Sequence, residues 1–136
     1  YRDVKQAAVT NSGEIPDALV EFARTSLEDA MGDPLALRRA LGEYFTEPKG
    51  HVSFDATEVK VLDGMLCLDR RTRMMYDAQH LFVNGESFLA SGRDAQLMRT
   101  LADTRALDAA AVKRLSGPAR ALLLDWCEAG WIHVEQ

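Results

Sequence analysis

At 136 residues the chain is long enough for one well-buried core, or for a small helical element beside one compact domain. Its hydrophobic share of 47% and charged share of 27% are those of an ordinary globular protein, and no apolar run approaches the ~20 residues of a membrane span. The net charge of −5 divides as −3 over residues 1–46 and −2 over residues 47–136, so neither half has the Lys/Arg excess with which a domain grips nucleic-acid phosphates.

The chain opens Tyr1-Arg2-Asp3-Val4-Lys5, with neither an initiator Met nor a signal-peptide apolar core, and so reads as a piece of a longer protein. Cys67 and Cys127 stand sixty residues apart without metal-ligand spacing. They are expected to be two buried, reduced thiols in a cytoplasmic protein.

Residues 1–15 are polar and irregular, with a turn at Asn11-Ser12-Gly13, and look like a connector from an upstream domain. Pro16 suits the first turn of a helix, where a missing N–H costs little. Leu19, Ala23, Leu27 and Ala30 follow at helical spacing with Phe22 and Met31 alongside, predicting roughly four turns that end at Gly32. Asp33-Pro34 restarts a helix as cap and first-turn proline. Leu37, Leu41, Tyr44 and Phe45 form its stripe, and Glu47-Pro48 stops it. An antiparallel pair of such helices cannot bury both stripes alone. Residues 16–50 are therefore expected to form a homodimer through Leu19, Phe22, Ala23, Leu27, Leu37, Leu41, Tyr44 and Phe45, with Gly42 allowing close approach.

From His51 the period changes. Val52 and Phe54 alternate with Ser53 in a strand-like way, and Met65–Leu68 is a short apolar run. Arg70-Arg71 turns the chain into a further run over Thr72–Tyr76. Asn84-Gly85 between His80–Val83 and Glu86–Leu89 predicts a type I′ hairpin, because both turn residues need positive φ. A two-residue loop pairs Val83 with Glu86 and Leu81 with Phe88. The last third is helical: residues 93–103, a short helix capped by Asp108, and a third capped by Ser116. Gly130 closes that third helix ahead of a final strand at Trp131–Val134.

No Gly-x-Ser-x-Gly elbow, phosphate loop or dinucleotide fingerprint occurs. His51, His80 and His133 sit singly in strand-like contexts, where a structural role is the ordinary one, and there is no His-x-Asp. Arg70, Arg71 and Arg73 form a basic turn suited at most to a weak phosphate or acidic contact. The helix over 117–129 occupies the place of a winged helix's DNA-reading helix. It offers Arg120, Asp125 and Glu128, a poor set for reading base edges.

Gly13-Glu14-Ile15-Pro16, Tyr44-Phe45-Thr46-Glu47-Pro48-Lys49, Leu81-Phe82-Val83-Asn84-Gly85-Glu86 and the closing Gly130-Trp131-Ile132 follow one another in an order that resembles the C-terminal region of bacterial cupin-type JmjC ribosomal oxygenases, the ribosomal protein arginine hydroxylases. Tyr1-Arg2-Asp3 looks like the exit from that family's catalytic barrel. The resemblance implies a helical dimerisation segment followed by a winged helix. It also implies a separate upstream cupin that binds Fe(II) and 2-oxoglutarate through a His-x-Asp…His triad and acts on a ribosomal protein. None of those ligands can be placed on this chain. The expected fold is α+β: an antiparallel helix pair over 16–50, then a winged-helix-like domain with a small antiparallel sheet over 51–136. A small dimeric winged-helix transcriptional regulator is the alternative. No catalytic, cofactor or metal residue, and neither DNA nor membrane as partner, is expected of this chain.

Overall fold

The computed structural model describes residues 13–135, so the Tyr1-Arg2-Asp3 motif and most of the expected connector lie outside the described residues. The chain forms two compact units, Tyr1–Arg38 and Arg39–Gln136, divided inside the second helix and ahead of the boundary at residue 50 that the sequence suggests.

The described part of the first unit holds helix α1 (Asp17–Gly32) and the first turn of α2 (Pro34–Thr46). Pro16 stands at the N-cap rather than inside the helix. Asp33 caps α2, its Oδ1 accepting from the Leu35 and Ala36 N–H groups at 3.0 and 3.2 Å. Among the described residues, no side chain of α1 is buried.

The second unit begins with the later turns of α2, where Gly42 and Thr46 are buried. Strands β1 (Met65–Leu68), β2 (Met74–Tyr76), β3 (His80–Val83) and β4 (Glu86–Leu89) follow. Then come α3 (Gly92–Thr104), the two-residue β5 (Ala106–Leu107), α4 (Ala109–Lys113), α5 (Gly117–Glu128) and β6 (Ile132–Glu135). Asp108 and Ser116 cap α4 and α5 as the sequence suggests. The β3–β4 hairpin has the expected register, with Asn84 and Gly85 at φ of 49° and 89°.

Two three-stranded antiparallel sheets replace the single small sheet anticipated, in orders β5-β1-β6 and β2-β3-β4. The first is the sheet of a winged helix, but its centre strand, β1, comes from ahead of the three helices. β5 was not foreseen, because a strand of two residues has no detectable alternation. The strand-like alternation at Val52 and Phe54 produces no strand: both flanks of β1 are taken by β5 and β6, which leaves residues 51–54 no ladder to join.

Leu66, Leu97, Leu101, Leu107, Val112, Leu123, Trp126 and Ile132 build the core between the first sheet and the three helices. Leu81 and Val83 extend it into the hairpin. A line of polar groups fastens the two sheets at the β1–β2 turn. Thr72 Oγ1 donates to the Trp131 carbonyl at 2.8 Å, and Arg105 Nη2 reaches the Asp69 and Thr72 carbonyls at 2.8 and 3.1 Å. Asn84 accepts from the Arg73 N–H at 3.0 Å. Thr46 Oγ1 accepts from the Gly85 N–H at 3.0 Å, tying the end of α2 to the hairpin tip.

Candidate interaction surfaces

The residues proposed for dimerisation are open in both units. In the first, Phe22, Ala23, Leu27 and Leu37 are exposed and Leu19 is half-buried, with Leu27 at 65%. In the second, Leu41, Tyr44 and Phe45 are exposed, Tyr44 at 70%, and the two rings meet edge to face at 5.7 Å. The sequence reading left out Val20 and Leu35, which are exposed as well. Both lie off the two stripes that the spacing singled out, so periodicity alone passes over them. Gly42 has a different role from the one expected. It is buried, and a Cβ there would stand 2.5 Å from the Phe82 ring. Its missing side chain seats the end of α2 on the hairpin sheet within one chain, not against a second copy.

The basic turn is mostly occupied. Arg71 donates from Nε to Asp69 Oδ1 at 2.8 Å, from Nη2 to Asp69 Oδ2 at 3.0 Å and Asp55 Oδ2 at 3.1 Å, and from Nη1 to the Ser53 carbonyl at 2.8 Å. Arg73 Nη1 reaches the Phe45 carbonyl at 3.5 Å. Arg70 is exposed. Arg71, whose donors are spent on this chain, therefore drops out of the contact surface that the sequence suggested. On α5 the exposed positions are Gly117, Pro118, Ala121, Asp125 and Glu128, while Arg120 turns back to the Val112 carbonyl at 3.1 Å. That face is short of donors for base edges and carries negative charge towards its C-terminal end.

The histidines are spread over separate environments. His51 is exposed. His80, on β3, stacks on Phe82 at 5.7 Å and lies 3.4 Å from Asp77 Oδ1. His133, on β6, lies 3.0 Å from Asp69 Oδ2. The hydrogen bonds from Arg71, opposed by burial and assisted by His133, hold the Asp69 carboxyl well below the usual carboxylate range. Glu135, two positions past His133, interacts with Cys67 instead and, with burial as the larger cause, raises that thiol. Cys67 is half-buried and Cys127 buried, both free, and burial pushes the Cys127 thiol up to about 11. Among the described residues, no three His, Cys, Asp or Glu side chains are placed to hold a metal ion. The facial triad of an Fe(II) oxygenase, two His and one carboxylate, therefore does not fit the side chains described. The sequence had signalled the Asp-Arg-Arg turn, but nothing local pairs Asp69 with a histidine on the last strand.

Three short helices behind a β5-β1-β6 sheet define a winged-helix domain. The model of the family described as ROXA-like winged helix matches residues 26–133, and the chain belongs to that family. No curated protein matches it by sequence. An X-ray structure of YcfD from Escherichia coli superimposes with a TM-score of 0.69 at 16% identity, over 99% of this chain and 39% of that one. YcfD described as a ribosomal oxygenase, in complex with cobalt and 2-oxoglutarate, gives a TM-score of 0.69 at 15% identity, over 100% and 40%. The likeness establishes the fold. This chain spans about 40% of the length of those structures.

Proposed function

We propose that this chain is the dimerisation and winged-helix part of an Fe(II)- and 2-oxoglutarate-dependent ribosomal protein hydroxylase that works in the cytoplasm, its catalytic cupin being a separate domain. The observation that carries the reading is the family match over residues 26–133, joined to a fold likeness with ribosomal oxygenase YcfD that runs through the helical segment as well as the winged helix. The unburied apolar side chains from Leu19 to Phe45 support a homodimer, since surfaces of that kind are rarely left open on a monomer. The donor-poor face of α5 and the engaged Arg71 favour protein over DNA as the partner and weigh against a transcriptional regulator. No described helix is long and apolar enough to cross a membrane.

The test is 2-oxoglutarate decarboxylation, with iron and ribosomal protein, by the protein encoded together with the sequence ahead of Tyr1. Turnover that depends on a His-x-Asp motif in that added sequence supports the proposal. Turnover by residues 1–136 alone, or an upstream sequence without a cupin, would overturn it.

A further inference from the structure

Residues 47–64 carry the chain from α2 to β1 without a helix or strand, and the two ends of this segment are fastened differently from its middle. At one end Thr46 is bonded to the hairpin tip. At the other Leu62 is in the core and Val59 packs against it. Between them Asp55, Ala56, Thr57 and Glu58 are exposed, and Val52 and Phe54 are only half-buried.

One side chain supplies most of the hold on that middle. Arg71 bonds the Ser53 carbonyl and the Asp55 carboxylate, and its guanidinium lies 5.5 Å from the centre of the Phe54 ring. The remaining ties are the Thr57 N–H donating to the Glu128 carbonyl at 3.2 Å and the edge of Phe54 against Trp131 at 6.5 Å. Gly130, at φ of 76°, leaves room for the Asp55 backbone to lie where a Cβ would stand.

We propose that residues 51–60 act as a strap that opens and closes over the Gly130–Trp131 corner while both sheets stay folded, with Arg71 as its latch. The contacts that must break are polar and reach solvent: the Asp55 side chain is 87% exposed and that of Arg71 34%. Ion pairs of that kind are weak and screened by salt. The two bonds from Arg71 to Asp69 are on the sheet side and need not break, so the latch stays seated when the strap leaves. Segments with few buried apolar contacts open locally at a lower free energy than the whole domain. Opening uncovers the face of Trp131 that Phe54 occupies, and so exposes an aromatic surface that the closed form covers.

Amide hydrogen exchange on the whole chain tests this. The Thr57 N–H is expected to exchange at least about tenfold faster than the Leu68 and Asp69 N–H groups, which are bonded to the Arg105 and Trp131 carbonyls. Raised salt and Asp55→Ala should each speed Thr57 further and leave Leu68 unchanged. Arg71→Ala should have the larger effect. Because it also strips Asp69 of its partner, the fully exposed Asp55 variant carries the test if Arg71→Ala does not fold. Thr57 exchanging at the Leu68 rate, or an Asp55→Ala effect shared equally by Leu68, would overturn the proposal.

Discussion

His133 Nε2 lies 3.0 Å from Asp69 Oδ2, so strand β6 brings an imidazole to the carboxylate that Arg71 already grips at 2.8 and 3.0 Å. Asp69 is the junction at which the first sheet, the β1–β2 turn and the strap share one charge. Its folded pKa is depressed, chiefly by the Arg71 hydrogen bonds. Stability from such a group is present above the unfolded value of about 3.9 and is lost as pH falls through the folded value. The urea midpoint is therefore expected to hold steady at neutral pH and to decline as pH drops below about 4. Asp69→Asn should lower the plateau and flatten that decline. An acid profile unchanged by the substitution would show that other carboxylates set it.

Gly42→Ala should destabilise the protein, although alanine is favoured over glycine in a helix by about 1 kcal/mol. The new methyl meets the Phe82 ring, and overpacking of this kind costs about 1–3 kcal/mol. Thermal melting of Gly42→Ala, alone and combined with Phe82→Leu, checks this. The second change should recover part of the loss, whereas additive losses would argue against contact between the two sites.

If the exposed stripes form the homodimer, Leu27→Asp together with Leu41→Asp should halve the mass seen by light scattering. Both side chains are exposed in the single chain, so the circular dichroism of the winged helix should be unchanged. A wild-type protein that stays monomeric at high concentration would remove the dimer from the proposed function.

Thiol labelling should separate the two cysteines. Cys67 is partly accessible, while Cys127 has no exposed surface and a thiol pushed up to about 11, where little thiolate exists at neutral pH. Cys67 is expected to react first, and Cys127 only at the rate of opening or unfolding. Simultaneous labelling would mean that α5 is far more mobile than its packing implies.

A fluorescence titration with duplex DNA at physiological salt should show no submicromolar binding. The charge over residues 47–136 is −2, and of the three arginines in the turn only Arg70 and Arg73 keep donors for a phosphate. Any RNA contact should be weak, fall steeply with added salt, and weaken further in Arg70→Ala.

The elements that could be read from sequence were those fixed by local chemistry. Asn84-Gly85 set the hairpin and its register; Asp33, Asp108 and Ser116 set helix starts. What escaped depends on residues far apart in the chain. Val52 and Phe54 alternate as a strand would, yet no ladder is free for them. Gly42 looks like a contact residue for a second copy until Phe82, forty positions on, is seen to cover it. Arg71 reads as a surface cation because nothing nearby in sequence reveals that Ser53 and Asp55 return to it. The candidate dimer residues were legible as two stripes, while Val20 and Leu35, equally open, lie outside them.

The origin of the centre strand bears on how the protein is made. β1 leaves the ribosome before all three winged-helix helices, yet its ladders are to β5 and to β6, with Leu68 opposite Ile132 and Met65 opposite Glu135. Until the β6 residues emerge, Leu66 and Leu68 have no strand on that flank to pair with. Pairings so distant in sequence delay folding, because the intervening loop must close before any contact rewards it. The β3–β4 hairpin, by contrast, can form as soon as Leu89 is out. Synthesis therefore imposes an order on the domain, hairpin first and central sheet last, and a nascent chain stalled before Ile132 should hold the hairpin while leaving β1 open to chaperones.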